Sequence, residues 1–188
     1  MTSLSAVYLP RIAQDLLRDL DALAEAHATT PGVTAERARK TALASDSLQL
    51  LTLLRLRERA RAMRIPGVNH ALRRVMTAVY GLEIGNDVQI GDGVYFVHPV
   101  GTVIGGDARV GSRVRFMGNN TVGTAKDNGY PIIEDDVTVG AGARILGPVR
   151  IGRGAVIAAN AVVLSDVAEG VTVVGAPAKP VKRSKGNS

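Results

Sequence analysis

Cysteine and tryptophan are absent from the 188 residues, and aromatic residues make up only 3% of the sequence. The absence of cysteine excludes disulfide bonds and thiolate metal sites, and it fits a reducing environment. Because large rings are scarce, small and β-branched side chains must fill the interior. No apolar run approaches the about 18 residues that span a membrane, and residues 1–21 lack the basic segment and apolar run of a signal peptide. We therefore expect a cytoplasmic protein without a membrane span.

Positive charge is in excess, with a formal net charge of +6 at pH 7. Many of the arginines lie between residues 55 and 74, and four cations lie between Lys179 and Lys185 inclusive. Such an excess suits nucleic acid, anionic lipid or a phosphorylated cofactor, or it is simply a solvated surface. Because no aromatic residues are interleaved with the basic ones for base stacking, we expect no nucleic-acid partner.

Residues 1–80 predict an α-helical N-terminal domain. Leucines recur near helical spacing from Leu16 to Leu23, and a proline and a glycine then interrupt the pattern. Capping and breaking residues divide the rest into three further helices. The predicted helices cover about residues 13–26, 34–44, 45–63 and 69–80, with Ser45 or Asp46 capping the third and Asn69 the fourth.

The triplet Asp46, Ser47 and Leu48 resembles the phosphopantetheine attachment site of acyl carrier proteins. Those domains are usually acidic, whereas this half of the chain is basic. A helix N-terminus, where a short polar side chain accepts a backbone hydrogen bond, is the better interpretation.

From Gly81 onward the sequence follows a period of six residues. Nineteen of the 21 glycines lie at or after Gly81. A fixed period of six predicts a parallel β-helix, in which three units form one triangular coil and the first side chain of each unit points inward. The first-position residues are Ile84, Ile90, Phe96, Ile104, Val110, Phe116, Val122, Ile133, Val139, Ile145, Ile151, Ile157 and Val163. Small or β-branched residues follow four positions later, at Val88, Val94, Ala108, Val114, Val137, Ala143, Val149, Ala155, Ala161 and Val167.

Two insertions interrupt this period, and insertions in a solenoid often form loops on its binding face. Eight residues instead of six separate Phe96 from Ile104, and this segment contains His98, the only histidine after Gly81. Eleven residues separate Val122 from Ile133, which predicts a polar loop that protrudes from the coil. These two interruptions are where we expect the functional site.

At these positions residues 81–181 resemble the hexapeptide-repeat acyltransferases, in particular the serine O-acetyltransferase branch. The resemblance implies a left-handed β-helix, so the predicted fold is mainly β, with a helical domain at 1–80, the β-helix at 81–178 and a basic tail at 179–188. It also implies an acyltransferase that uses acetyl-CoA and assembles as a homotrimer or a dimer of trimers. The segments that carry it are Glu83–Ile84, Val97–Gly105, Val122–Lys126, Val139–Gly147 and Val174–Ala178.

The resemblance assigns His98 as the general base that takes the proton from an acceptor hydroxyl. It assigns Glu83, fifteen residues earlier, as the carboxylate that orients the His98 ring, although the family often has aspartate there. The chemistry agrees, because a hydroxyl is a weak nucleophile until a base accepts its proton, and imidazole titrates near neutral pH. His27 and His70, in the helical half, are expected to be surface or packing residues.

In this family the pantetheine arm of coenzyme A lies in the groove between neighbouring subunits and bonds to backbone amides. The candidate residues along that arm are Gly123, Thr124, Ala141, Gly142 and Gly147, and Lys126, Lys179 and Lys182 are candidates for the nucleotide phosphates. With no cysteine and one histidine after Gly81, we expect no metal, and the three-histidine site of a γ-carbonic-anhydrase-like enzyme is excluded.

Two departures from the serine O-acetyltransferase pattern affect the acceptor. Val97 stands where the family usually has aspartate, and Gly129 and Tyr130 stand in place of an Arg-His pair. Free serine would lose charge-assisted hydrogen bonds at these positions. The acceptor is therefore serine, a serine-like group, or a hydroxyl of a sugar or polysaccharide precursor, in a pocket shaped by Val97, Asn119 and Tyr130. A non-catalytic hexapeptide-repeat scaffold is the alternative from another class, and the Glu83–His98 spacing argues against it.

Overall fold

The N-terminal part of this computed structural model is helical. The structure describes residues 4–181, with side chains from Arg11 onward. Ser45 caps the third helix by accepting a hydrogen bond from the Leu48 N–H at 3.2 Å, as predicted. The predicted cap at Asn69 is wrong, because Gly67 precedes the fourth helix and the Asn69 side chain bonds to Arg57 instead. The four helices are α1 (Leu4–Ala28), α2 (Ala35–Leu43), α3 (Asp46–Ala62) and α4 (Val68–Tyr80).

Fifteen short strands follow and form three sheets, one on each side of a triangular coil. Sheet A contains β1, β4, β7, β10 and β13, sheet B contains β2, β5, β8 and β11, and sheet C contains β3, β6, β9, β12, β14 and β15. All the strand pairs are parallel except β14 with β15. The strands are β1 (Glu83–Ile84), β2 (Gln89–Ile90), β3 (Tyr95–Phe96), β4 (Val103–Ile104), β5 (Arg109–Val110), β6 (Arg115–Phe116), β7 (Thr121–Gly123), β8 (Ile132–Ile133), β9 (Thr138–Val139), β10 (Arg144–Leu146), β11 (Arg150–Ile151), β12 (Val156–Ile157), β13 (Val162–Val163), β14 (Thr172–Val174) and β15 (Lys179–Pro180).

The interior of the coil is filled as the period of six predicts. All thirteen first-position side chains are buried, and Phe96 and Phe116 stack with ring centroids 5.5 Å apart. Chain segments on successive coils approach closely at the corners: a Cβ on Gly140 would lie 2.5 Å from the backbone nitrogen of Ala159, so only glycine fits there. The predicted parallel β-helix preceded by a helical domain is confirmed.

The last coil differs from the predicted spacing. Val167 lies four positions after Val163 and was expected to be the small residue of that unit. Instead it occupies the first position of the next unit and pairs with Ile151 of β11. The corner after Val163 is therefore two residues shorter than elsewhere. The Asp166 carboxylate accepts a hydrogen bond from the Arg150 N–H at 2.8 Å, which closes this short corner.

Helix α3 caps the open end of the β-helix, where the first coil has no preceding coil to bond with. Arg55 donates hydrogen bonds to the carbonyls of Ile90 and Gly91, both at 2.9 Å, next to sheet B. Its guanidinium also pairs with the fully buried Asp19 of α1 at 3.0 Å, and Asp19 accepts from the Gly93 N–H at 2.8 Å. Burial alone would lower the pKa of Arg55, but the hydrogen bonds and charge of Asp19 outweigh burial and raise the pKa.

The other two sheets are capped from the same helix. Arg57 donates to the Ile84 carbonyl on sheet A at 3.2 Å, and burial, followed by the charge of Arg73, lowers its pKa. On sheet C the buried Ser47 hydroxyl exchanges two hydrogen bonds of 3.0 Å with the backbone of Phe96. Ser47 is therefore a structural residue, in agreement with the helix interpretation of its triplet.

Candidate functional site

The shorter insertion forms a bulge where the chain passes from β3 of sheet C to β4 of sheet A. We call this edge of the prism the C/A corner. His98 is exposed in the bulge, between the buried residues Phe96 and Pro99. A Cβ on Gly118 would lie 2.7 Å from the His98 carbonyl oxygen and 3.0 Å from the His98 Cβ. The bulge thus rests directly on the next coil, and glycine is required at that contact.

Asn120 holds the backbone at this corner, although the sequence analysis did not select it. Its side chain is fully buried, accepts from the Gly118 N–H at 3.0 Å and donates to the Gly140 carbonyl at 2.7 Å. The hydroxyl of the buried Thr102 also accepts from the Asn120 N–H at 3.4 Å. In the sequence the signal is two polar residues close to the insertions, and the tertiary contacts distinguish them from ordinary turn residues.

Glu83 lies at the start of β1, one coil below Val103 of β4. Its carboxylate forms an ion pair with Arg73 of α4. Among the described residues of one protomer, the hydrogen bonds do not include one between Glu83 and His98. The orienting role of Glu83 therefore stays a prediction.

The predicted site residues lie in two separate columns on the two edges of sheet A. His98, Asn119, Ala141 and Gly142 lie at the C/A corner, where the Gly142 N–H donates to the Gly118 carbonyl at 2.9 Å. At the opposite edge, where the chain passes from sheet A to sheet B, the Gly147 N–H donates to the Gly123 carbonyl at 2.8 Å. The two edges are separated by the length of a strand. A strand of three residues is roughly 10 Å long at about 3.3 Å per residue.

The longer insertion forms a loop at this second edge, which we call the A/B corner. The half-buried Tyr130 ring lies against Gly106, where a Cβ would be 2.0 Å from the ring. Thr124 has a buried hydroxyl without a hydrogen-bond partner in the part of the chain that the structure describes, and Lys126 is exposed. Tyr130 is thus held against the preceding coil at the A/B corner rather than beside His98.

The other predicted residues are Asn119 and Val97 at the C/A corner and the lysines near the C-terminus. Asn119 has a left-handed backbone with φ of 50°, and Arg144 donates a hydrogen bond to its carbonyl oxygen. Val97 is half-buried directly before His98. Lys179 is exposed in β15, so the predicted tail begins inside a strand. Lys182 lies outside the described residues.

Neither a metal cluster nor a spanning helix is found within residues 4–181. No group of three or more histidine, aspartate or glutamate side chains in that range is arranged to hold a metal ion. No helix in the same range is long and apolar enough to cross a membrane.

The repeat and its flanking sequence match known transferases. Residues 130–165 match the family model "Bacterial transferase hexapeptide (six repeats)". The serine acetyltransferase of Helicobacter pylori (strain J99) is 38% identical over 121 residues, which cover 63% of this chain and 71% of the relative. The chain belongs to the serine acetyltransferase family. The Bacillus licheniformis serine acetyltransferase is 39% identical over 117 residues, 61% of this chain and 54% of the relative.

The structural similarity to this family extends into the helical domain. The crystal structure of Neisseria gonorrhoeae serine acetyltransferase superposes with a TM-score of 0.79 at 31% identity, covering 95% of this chain and 67% of that one. Other similar serine acetyltransferase structures are complexes with CoA and with serine. The chain spans about half the length of the first curated relatives that it matches.

Proposed function

We propose that this chain transfers the acetyl group of acetyl-CoA to a hydroxyl of a small acceptor, serine or a serine-like molecule. The observation that carries the proposal is the exposed His98, placed by the shorter insertion at a corner of a serine acetyltransferase fold. The names of the relatives support the reaction class, and a related complex with CoA supports the donor.

In this mechanism the neutral imidazole of His98 accepts the proton of the acceptor hydroxyl as its oxygen attacks the thioester carbonyl. The carbon–sulfur bond then breaks, and the proton passes from the imidazolium to the leaving thiolate of CoA. Glu83 orients the ring and stabilises the imidazolium, because a carboxylate paired with Arg73 still has a second oxygen that can accept a hydrogen bond. The Gly118 N–H already donates to Asn120, so a different backbone amide must stabilise the oxyanion.

Two neighbouring subunits would together complete the cofactor site. In one protomer, Ala141 and Gly142 lie at one edge of sheet A and Gly123 and Gly147 at the other. A pantetheine arm bound between subunits contacts the C/A corner of one copy and the A/B corner of its neighbour. A closed arrangement of three copies satisfies this requirement at each of three equivalent sites.

The acceptor pocket departs from one built for free serine. Val97 supplies no carboxylate for an ammonium group, and Tyr130 packs against Gly106 of the preceding coil. We therefore propose a serine-like acceptor, with free L-serine a poorer substrate.

The test is release of CoA from acetyl-CoA, measured with a panel of hydroxyl acceptors. Replacing His98 with alanine should lower kcat by about 10²–10⁴-fold with little change in acetyl-CoA binding, since general-base catalysis acts in the transition state. Glu83→Gln should cost less, and His70→Gln, at an exposed position of α4, is the matched control and should leave kcat unchanged. Wild-type turnover by His98→Ala would contradict the mechanism.

A further inference from the structure

A groove of about 520 Å³ opens between the helical domain and β3, directly beside the bulge that carries His98. Its walls come from α1, from α2, from the start of α3 and from the first coil. We call it the cationic groove, and its principal lining residues are His27, Arg37, Lys40, Asp46, Tyr95 and Val97.

Two cations of α2 line this groove. Arg37 and Lys40 are three residues apart, so their side chains lie on the same side of the helix. Lys40 also pairs with Glu36 at 2.7 Å, but both side chains are largely exposed, and such a pair is weak in water. The Lys40 ammonium therefore remains available to a ligand. Asp46 is the only carboxylate among the lining residues.

A third cation, Arg115 of β6, lies next to the lining residue Tyr95. The Arg115 guanidinium lies 5.6 Å from the centroid of the Tyr95 ring, and the His27 ring packs edge-on against Tyr95 at 5.2 Å. Burial, followed by the charge of Arg115, lowers the pKa of His27. The charge of Arg115 thus acts on a lining residue, and Arg37 and Lys40 outnumber Asp46 in the lining, so the groove carries an excess of positive charge.

The position of the groove matches an acceptor rather than the nucleotide. Val97 lines the groove, and the Cα of His98 follows at about 3.8 Å along the chain. The groove lies beside the first coil, whereas the residues predicted to bind pantetheine, such as Gly123 and Gly147, lie on the third and fourth coils. The groove and these predicted donor residues therefore occupy different coils.

We propose that the cationic groove binds the anionic group of the acceptor, a carboxylate or a phosphate, and presents the acceptor hydroxyl to His98. This inference rests on the proposed acetyltransferase function and specifies its substrate class. An ammonium group is not recognised, because Val97 offers it no charge and the groove repels it.

Matched acceptors separate these features in a CoA-release assay. D- and L-glycerate keep the carboxylate and hydroxyl of serine but lack its ammonium, whereas L-serinamide keeps the ammonium without a carboxylate. Comparing glycerol 3-phosphate with glycerol shows the effect of a phosphate on the same carbon chain. Glycerate or glycerol 3-phosphate should exceed serinamide and glycerol in kcat/KM by about tenfold or more, the value of one lost charged hydrogen bond. The better of the two anions identifies carboxylate or phosphate as the recognised group. Equal or better turnover of serinamide or glycerol would overturn the inference.

The double variant Arg37→Gln/Lys40→Gln should raise KM for the best anionic acceptor by about tenfold, with kcat and the KM for acetyl-CoA nearly unchanged. Arg39→Gln is the matched control, because Arg39 is an exposed cation of the same helix whose carboxylate neighbour is Asp21 at 3.9 Å. An unchanged KM in the double variant, or an equal rise in the control, would contradict the groove as the binding site.

A binding measurement separates failure of this inference from failure of the transferase proposal. The chain has three histidines, so their ring-proton NMR signals can be followed individually. D-glycerate or glycerol 3-phosphate should shift the His27 signal in the wild type and in Arg39→Gln but not in the double variant. Anion-dependent shifts without turnover of any acceptor would overturn the transferase proposal and leave the anion site standing. Turnover without a His27 shift would overturn the groove, and the absence of both would overturn both.

Discussion

Replacing Arg55 with alanine should destabilise the fold by about 3–5 kcal/mol, the usual cost of removing one partner from a buried ion pair. The Arg55 side chain is 6% exposed and Asp19 is 0% exposed. Without the guanidinium, Asp19 keeps the Gly93 N–H as its remaining hydrogen-bond donor, and the carbonyls of Ile90 and Gly91 lose their side-chain donor. Because domains are stable by only about 5–15 kcal/mol, the loss is a large fraction of the total.

Urea denaturation at fixed protein concentration, followed by circular dichroism, measures this effect. Arg61→Ala is the matched control, because Arg61 lies on the same helix and pairs with Asp87 at the surface, at 43% and 69% exposure. That change should cost less than about 1 kcal/mol. The double variant Asp19→Asn/Arg55→Met should be more stable than Arg55→Ala, since no unpaired charge remains buried. A loss below about 1 kcal/mol for Arg55→Ala would refute the reasoning.

Two further predictions concern pH and assembly. The folded state lowers the pKa of His27 below 6.5, so the unfolded chain binds more protons and the free energy of unfolding should fall as pH drops through 6.5. Melting temperatures at several pH values check this, and His27→Gln should weaken the dependence; an unchanged slope would contradict it. Light scattering at micromolar concentration should give three copies or a multiple of three, and a monomer would rule out a site shared between subunits.

The β-helix could be predicted from the sequence because its pattern is local. Each strand from β1 to β13 buries one side chain, so the residues from Ile84 to Val163 repeat at a spacing that does not depend on distant parts of the chain. The bulge around His98 could be predicted for the same reason, since an insertion is visible as a break in that spacing. The Ser45 cap likewise depends on an N–H only three residues away.

Partners that are distant along the chain could not be predicted in this way. The hydrogen bond from Arg55 to Ile90 spans 35 residues, and the one from Ser47 to Phe96 spans 49. The sequence shows Arg55 as one of many cations on a helix, which suggests a solvated surface. Its burial depends on how α3 meets the first coil, and that contact is formed only after both elements exist.

The sequence by itself determined the repeat, its two insertions and the residue types that make His98 a candidate base, because these follow from chain-local burial and spacing. The tertiary structure decided the position of Val167, the pairing of Glu83 with Arg73, and the separation of the predicted cofactor residues onto two edges of sheet A. It also assembled the cationic groove from four segments between His27 and Val97. A charge acquires its partner only when folding brings remote segments within a few ångströms, where desolvation and Coulomb attraction select one arrangement over the others.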